Sequence, residues 1–147
     1  MADVVDSETR SRMMSNIRGA NTKPELNLRR RLHAAGFRYG LHRKDLPGRP
    51  DLVMPRYDAV IFVHGCYWHR HPRCRLATTP STRADFWTAK FMANQERDRR
   101  NIADLRGLGW RVAIVWECEV RTAARADEAV SELIDWLLSD KVLNEIP

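Results

Sequence analysis

The stretch AVIFVHGCYWHRHPRC, residues 59–74, joins an apolar run to a short segment rich in histidine and cysteine. Residues 59–63 are apolar without alternation, which is typical of a strand buried on both faces of a sheet. The segment PRYD at 55–58 connects them to a second apolar run at 51–54, so we predict a hairpin of buried strands. Residues 65–80 break the pattern and indicate an irregular loop.

Outward from this hairpin, the chain alternates helical and extended patterns. Pro24 opens a helix in which Leu28, Leu32 and Ala35 share one face, and Gly36 ends it. We also predict a short strand at 37–42, a long helix at 85–108, an apolar strand at 111–116 and a last amphipathic helix from about residue 127, with its acidic residues facing water. This order indicates an α/β fold in which helices flank a mixed central sheet.

The length of 147 residues is that of one domain, and we treat 1–147 as a single unit. Residues 1–22, polar and rich in arginine from residue 6 onward, are interpreted as an N-terminal arm or helix. No run approaches the roughly 20 apolar residues of a membrane-spanning helix, and the first residues lack the pattern of a secretory signal. We therefore exclude a membrane protein and expect a cytoplasmic one.

The net charge of +6 is unevenly distributed. Residues 1–100 carry 20 of the 25 Lys and Arg residues but only 10 of the 19 Asp and Glu residues. Most of these cations are arginines, whose planar guanidinium suits phosphate. The charge favours a polyanionic partner such as nucleic acid, although a modest basic excess also serves solubility alone.

A candidate zinc site lies in residues 64–74, which hold three of the five histidines and two of the three cysteines. Cys66, His71 and Cys74 supply thiolate and imidazole ligands of the kind that tetrahedral zinc prefers. Cys118, just after the strand at 111–116, is the remaining cysteine and the candidate fourth ligand. The alternatives are buried cysteines with surface histidines, or a site in which His64 or His69 replaces His71.

The remaining histidines and an aspartate suggest catalysis. His64 ends a buried strand and His69 lies in the loop, and an imidazole can take a proton from water near neutral pH. Asp51 begins an apolar strand directly after a turn-rich segment, and a carboxylate at a strand mouth is a common seat for Mg²⁺. A hydrogen bond from Asp51 to that turn is the alternative.

Other polar and aromatic positions have two interpretations each. Asp98 and Asn94 interrupt the apolar face of the long helix and need partners, for Asp98 either a metal site or an arginine. The adjacent Tyr67 and Trp68 cannot both enter one core, so at least one is expected to be exposed, where it could stack on bases; covering the zinc site is the other possibility. Two further residues have an ordinary alternative, a helix cap for Glu25 and a docking contact for Met14.

Taken together, five segments resemble the very-short-patch-repair DNA mismatch endonucleases. They are LPGRPD (46–51), VIFVHGCYWH (60–69), TRADFW (82–87), ERDRR (96–100) and GWRVAIVWEC (109–118), within a match from about residue 6 to residue 121. The resemblance implies a restriction-endonuclease-like fold with a structural zinc site. It also implies an enzyme that nicks one strand of double-stranded DNA on the 5′ side of the thymine in a T:G mismatch left by deamination of 5-methylcytosine.

The resemblance assigns roles to individual residues. Asp51 and the main-chain carbonyl of Val63 would bind catalytic Mg²⁺, and His69 would be the general base. Three further residues, His64, Glu25 and Asp98, would complete the active site. The structural Zn²⁺ would be bound by Cys66, His71, Cys74 and Cys118. Met14, Tyr67 and Trp68 would enter the mismatched base stack, with the N-terminal arm against the DNA.

The chain also departs from common patterns. Nucleases of this fold usually have an acid and a lysine where this chain has Val63 and Gly65, so histidines must replace the lysine. Two residues separate His71 from Cys74 where some relatives have one, and Tyr67 stands where phenylalanine is familiar. We expect a monomer. Two other functions compete with mismatch nicking: a zinc-stabilised DNA-binding module without catalysis, and a nuclease of the same fold that needs no mismatch.

Overall fold

A computed structural model describes residues 21–146 of the chain. Most of the N-terminal arm, with Met14, therefore lies outside the described residues. The helices are α1 (Lys23–Ala34), α2 (Ala84–Gly107) and α3 (Ala123–Leu137), and the strands are β1 (Gly40–Leu41), β2 (Leu52–Met54), β3 (Ala59–His64), β4 (Arg111–Trp116) and β5 (Leu143–Ile146). Short 3₁₀ turns occupy Pro55–Tyr57 and Glu117–Val120. No helix within 21–146 is both long and apolar enough to cross a membrane.

The strands form one mixed sheet in the order β1-β2-β3-β4-β5. β1, β2 and β3 are antiparallel neighbours, whereas β3, β4 and β5 run parallel. The predicted hairpin is confirmed, with Leu52 opposite Ile61 and Met54 opposite Ala59. α2 connects β3 to β4 and α3 connects β4 to β5, since parallel neighbours need a crossover.

Alternation along the strands divides the core between two faces of the sheet. One face carries Leu52, Ile61 and Ala113 and packs against α1 and α3. The other carries Val53, Val60 and Phe62 and packs against Leu105 of α2. Because both faces are covered, the strands need no polar side, which explains their continuous apolar sequence. The predicted mixed sheet flanked by helices is confirmed.

The ends of α1 and α3 follow from local capping. The Thr22 side chain accepts a hydrogen bond from the Glu25 N–H at the start of α1, and Gly36 follows its end with φ 97°. Thr122 caps α3 in the same way. This cap starts α3 at residue 123, earlier than the predicted residue 127. The acidic side chains of α3 are exposed as expected: Asp127, Glu128, Glu132 and Asp135.

One strand prediction needs correction, and one strand was missed. The strand predicted at 37–42 is reduced to Gly40–Leu41, because Phe37 and Tyr39 pack on the core beside α1 rather than pairing along β2. β5 was not predicted at all. Its pairing with β4 joins residues about thirty positions apart, from Val112 opposite Leu143 to Val115 opposite Ile146, and no local pattern reports such a partner.

Candidate active site

The candidate site lies at one edge of the sheet. β3 ends at His64, and its parallel neighbour β4 ends at Trp116, two residues before Cys118. β2 runs antiparallel to β3, so Asp51, just before β2, reaches the same edge. The carboxyl ends of parallel strands are where α/β folds usually build their sites. Three groups of side chains meet the geometric requirement for holding a metal ion there, all within the described residues.

The first, the Asp51 group, consists of Glu25, His42 and Asp51. Asp51 Oδ2 accepts a 2.7 Å hydrogen bond from the Val63 N–H. Val63 therefore contacts Asp51 through its amide nitrogen, and a role for its carbonyl in Mg²⁺ binding stays a prediction. Burial, together with the charge of Glu25, raises the pKa of Asp51 to about 7, while the Val63 N–H and His42 act in the opposite direction.

Glu25 is almost fully buried, with 2% of its side chain exposed. Its Oε2 atom lies 2.7 Å from Arg29 Nη1 and 2.9 Å from His42 Nε2, and its Oε1 accepts a 3.2 Å hydrogen bond from the Asn21 N–H. The last contact, paired with the cap by Thr22, is close to a capping box. Glu25 thus both supports the start of α1 and belongs to the Asp51 group, so its two sequence interpretations are compatible.

His42 is a member of the group that sequence reasoning missed. Its backbone has φ 48°, in the left-handed region that histidine seldom adopts. Its N–H donates to the Asp51 carbonyl at 3.2 Å, and its Nε2 lies 3.9 Å from Asp51 Oδ1. In the sequence, His42 is simply a histidine on the other side of the LPGRP turn from Asp51. The pairing of β1 with β2 brings the two residues together.

The second, the His69 group, consists of His64, His69 and Asp98. His69 Nδ1 lies 2.6 Å from Asp98 Oδ2, so the partner of this helix carboxylate is a histidine rather than the arginine considered from the sequence. The His64 and His69 rings stack with centroids 3.9 Å apart and planes 6° apart. Asp98 therefore holds the His69 ring at its edge, and His64 holds it on its face.

His64 is 6% exposed, and this environment sets its charge. Burial and the neighbouring His69 lower the pKa of His64 to about 3, against the opposing effect of Asp98. His64 is therefore neutral at pH 7. It can act as a stacking partner, hydrogen-bonding group or metal ligand, but as a neutral imidazole it is not a general acid at this pH.

The third, the thiol group, consists of Cys66, His71, Cys74 and Cys118. His71 Nδ1 lies 3.6 Å from Cys66 Sγ and 3.5 Å from Cys118 Sγ. A tetrahedral zinc with Zn–S near 2.3 Å and Zn–N near 2.0–2.1 Å separates sulfur and nitrogen by about 3.5–3.6 Å. All four predicted ligands come together, and the two S···N distances fit that geometry.

The surroundings of the thiol group are apolar. Cys66 packs with Ile114 and Trp116 of β4, and the His71 ring stacks on Trp116 at 4.3 Å. Burial raises the pKa of both the Cys66 and Cys118 thiols, and a neighbouring cysteine raises each further, Cys118 for Cys66 and Cys74 for Cys118. Three close thiols in such a place lack charge compensation as thiolates, which a divalent cation would provide. The donor set therefore fits zinc.

The aromatic pair of the loop rests on α2. Tyr67 meets Phe91 edge to face at 5.2 Å, and Trp68 lies 6.2 Å from Trp87. Both Tyr67 and Trp68 are half-buried, so the expectation that one would be exposed is not met; α2 supplies a second apolar surface for them. Their role in DNA binding stays a prediction.

Arg70 holds the loop beneath these aromatics. Its guanidinium lies 4.0 Å above the Phe91 ring and donates hydrogen bonds to the carbonyls of Tyr67, Ala77 and Thr78. On α2, Asn94 finds the partners that the sequence indicated it needs, since its side chain donates to the Trp68 carbonyl at 3.4 Å and accepts from Arg97 at 2.8 Å. The loop is thereby joined to α2 as well as to the sheet.

A mixed α/β fold with carboxylates and an Asp–His pair at the carboxyl ends of its parallel strands has the arrangement of a hydrolytic enzyme. The family model "DNA mismatch endonuclease Vsr" matches residues 2–75, half of the chain. Individual relatives are similar to this chain over more than nine-tenths of its length. The chain belongs to the Vsr family of DNA mismatch endonucleases.

Three relatives illustrate the similarity. DNA mismatch endonuclease Vsr of Escherichia coli K12 is 46% identical over 142 residues, covering 95% of this chain and 90% of the relative. Type II nicking enzyme V.XorIIP of Xanthomonas oryzae pv. oryzae is 44% identical over 135 residues, covering 92% and 98%. Type II nicking enzyme V.NmeAIP of Neisseria meningitidis is 38% identical over 134 residues, covering 91% and 95%. These relatives are DNA endonucleases, and the chain spans nearly their whole length.

Proposed function

We propose that this protein nicks one strand of double-stranded DNA on the 5′ side of the thymine in a T:G mismatch, using Mg²⁺ and a histidine general base. The observation that carries the proposal is the meeting of the Asp51 and His69 groups at one edge of the sheet. Val63 and His64 are consecutive, and the first is hydrogen-bonded to Asp51 while the second stacks on His69. Membership in a family of mismatch endonucleases points to the same reaction.

Asp51 would hold the catalytic cation, with Glu25 beside it. Bound there, Mg²⁺ would supply charge stabilisation for the scissile phosphate and its leaving oxygen. The proximity of the two carboxylates supports this assignment, because burial and the charge of Glu25 raise the pKa of Asp51 and so disfavour its negative charge. A cation offsets that effect.

His69 would take the proton from the attacking water. Its Nδ1 atom is occupied by Asp98, which favours the tautomer with the proton on Nδ1 and leaves the Nε2 lone pair free to accept one. Asp98 then stabilises the imidazolium that forms. His64, neutral and stacked, would keep the ring of His69 in its plane.

A structural zinc at Cys66, His71, Cys74 and Cys118 would fix the loop that carries His69. The loop has few apolar side chains with which to order itself, and His69 lies only two residues from His71. Zinc would tie it to the end of β4 through Cys118. The metal would therefore act on catalysis indirectly, by holding the base in place.

Mismatch recognition would come from the aromatic pair. Tyr67 and Trp68, together with Met14, would enter the base stack, which opens at lower cost where a T:G pair is weakly stacked. Stacking on an aromatic ring contributes about 1–3 kcal/mol per base. The basic residues of 1–100 would bind the DNA backbone, and one monomer suffices to nick one strand.

The test is a nicking assay with end-labelled duplexes that contain either T:G or T:A at one position, in Mg²⁺ or EDTA. Asp51→Asn is compared with Asp45→Asn, a matched control because Asp45 is exposed and forms an ion pair with the nearby Arg43. We expect a Mg²⁺-dependent nick 5′ to the thymine in the T:G duplex alone, lost in Asp51→Asn and kept in Asp45→Asn. Equal cleavage of both duplexes would favour a nuclease without mismatch specificity. Binding without any nick would favour a non-catalytic DNA-binding module.

A further inference from the structure

His42 lies against both carboxylates of the Asp51 group, yet none of the steps above uses it. Its Nε2 atom is 2.9 Å from Glu25 Oε2 and 3.9 Å from Asp51 Oδ1. We infer that His42 is a ligand of the divalent cation at Asp51, and that this imidazole makes the site bind a first-row transition ion such as Mn²⁺ in preference to Mg²⁺. The inference rests on the proposed function in one respect, that Asp51 holds a cation.

One carboxylate oxygen of Asp51 lies near His42. Asp51 Oδ2 accepts the hydrogen bond from the Val63 N–H, and Oδ1 is the oxygen near His42 Nε2, so we assign Oδ1 to the ion. The distance of 3.9 Å from Oδ1 to His42 Nε2 is too long for a hydrogen bond. An ion about 2.05 Å from each atom separates them by about 2.9 Å when they are adjacent ligands and about 4.1 Å when they are opposite ones. The observed gap is close to the second value, so a small movement of the His42 side chain would let both atoms bind one ion as opposite ligands.

Glu25 can release His42 to an ion. Binding through Nε2 requires the His42 proton to sit on Nδ1, so coordination replaces the hydrogen bond between His42 and Glu25 Oε2. That oxygen keeps its 2.7 Å contact with Arg29, and Oε1 keeps the Asn21 N–H. The buried Glu25 carboxylate is therefore not left without partners when His42 moves to the metal.

The backbone keeps His42 at this position. Its N–H donates to the Asp51 carbonyl, and its φ of 48° turns the chain at the end of β1. The His42 side chain is 18% exposed and that of Asp51 23%, so an ion could enter from solvent and retain water ligands.

The ligand types decide the preferred ion. Mg²⁺ prefers oxygen ligands and gives up its waters reluctantly. Imidazole nitrogen suits first-row transition ions better than it suits Mg²⁺, and Mn²⁺ binds most weakly among these ions, so a preference for Mn²⁺ over Mg²⁺ is the most demanding form of the inference. One imidazole added to a carboxylate site is thus expected to shift the balance toward Mn²⁺ while still allowing Mg²⁺ to bind.

The test measures Mn²⁺ binding to the full-length protein by electron paramagnetic resonance, with Mg²⁺ as competitor, in the wild type, His42→Gln, Asp51→Asn and His33→Gln. His33 is an exposed histidine of α1 and serves as the matched control. We expect Mn²⁺ to bind the wild type at least about tenfold more tightly than Mg²⁺, with a nitrogen hyperfine signal from imidazole. His42→Gln should remove that signal and weaken Mn²⁺ about tenfold while changing Mg²⁺ affinity less than about twofold.

Each other outcome overturns the inference in a recognisable way. The inference fails if the wild type lacks the nitrogen signal, a result that needs no variant to fold. It fails equally if His42→Gln keeps that signal, or keeps the preference for Mn²⁺, while Asp51→Asn abolishes binding; the cation site of the proposed function then survives. If Asp51→Asn binds both ions as tightly as the wild type does, the proposed cation site fails together with the inference.

Discussion

The Asp51 group and the thiol group lie at the same edge of one sheet and are built in opposite ways. The thiol group offers three sulfurs and an imidazole, packed against Ile114 and Trp116, and three of its four members come from one loop. The Asp51 group offers oxygen and nitrogen atoms from α1, the end of β1 and the start of β2, and it is open to solvent. The thiol group is thus suited to holding a metal ion permanently, whereas the Asp51 group beside it is suited to exchanging its ion and ligands with solvent.

The two groups differ in how many of a metal ion's ligands their side chains could supply. The thiol group has four donors and needs no water to complete a tetrahedron, which is typical of structural zinc. The Asp51 group has fewer donors than an octahedral ion requires, so water or a phosphate oxygen would have to complete the coordination of an ion proposed there. We therefore expect changes in the Asp51 group to affect reaction rate and changes in the thiol group to affect stability.

The largest effect is expected from Asp51→Asn. Loss of the carboxylate removes the main ligand of the proposed cation, and single-turnover nicking of the T:G duplex should fall by about 10⁴-fold. Binding of the same duplex, measured by fluorescence anisotropy, should weaken by less than about threefold. A residual rate within tenfold of wild type would mean that the cation is held elsewhere.

His69→Gln is the next largest. Removing the proposed base should slow nicking by about 10²–10³-fold. Asp98→Asn should cost less, and the double variant should be no slower than His69→Gln alone, because Asp98 acts through His69. Asp104→Asn, exposed on the same helix, is the control. Additive losses in this cycle would show that Asp98 has a role independent of His69.

Cys66→Ser tests the other side of the comparison. It removes one sulfur from the proposed zinc site, and we expect less than one zinc per chain by elemental analysis and a Tm lower by about 10 °C or more. Mn²⁺ affinity at the Asp51 group should change little. Arg75→Ala, an exposed change in the same loop, should leave zinc content and Tm unaltered. Full zinc content in Cys66→Ser would rule out the four-ligand assignment.

The smallest effect is a pH-dependent gain in stability. The carboxyl group of Asp ionises near 3.9 in an unfolded chain, whereas burial beside Glu25 raises the pKa of Asp51 to about 7 in the fold. The folded state holds the proton more tightly, so ionisation of Asp51 costs stability progressively as the pH rises from about 4 through 7. Asp51→Asn should therefore raise Tm by a few degrees at pH 8 without added Mg²⁺ or Mn²⁺.

This gain should largely disappear under two conditions. Near pH 4 the wild-type carboxyl group is protonated in the folded state and about half protonated in the unfolded state, so little of the cost of ionisation is present and the difference in Tm is expected to become small. Millimolar Mg²⁺ at pH 8 should also close the gap, because the cation stabilises ionised Asp51 in the wild type alone. A variant that is less stable than the wild type at pH 8 in both buffers would show that the hydrogen bond to Val63 outweighs the charge.

The thiol group could be predicted from the sequence because most of its members are close together along the chain. Three ligands fall within nine residues, and the remaining cysteine follows a strand whose apolar pattern places it in the sheet. Asp51 was visible because a carboxylate that opens an apolar strand is unusual. The helix position of Asp98 predicted correctly that it faces the protein, but not that its partner is His69.

His42 and β5 were not predictable, and both depend on distant pairing. His42 reaches Asp51 because β1 pairs with β2 and reaches Glu25 because α1 packs on the same sheet. β5 is a short strand whose partner β4 is separated from it by an entire helix. Propensity and periodicity describe neighbours along the chain, so contacts created by tertiary packing leave little trace in them.

The register of the β2–β3 hairpin has a consequence for evolution. Its connection is residues 55–58, and the pairing of Leu52 with Ile61 brings the Val63 N–H to Asp51. Since side chains alternate between faces, inserting or deleting one residue in that connection would exchange the faces of one strand and withdraw the N–H from the carboxylate. Lineages that keep the proposed nicking reaction should therefore accept substitutions at exposed positions such as Arg56, while selection removes changes in the length of this turn.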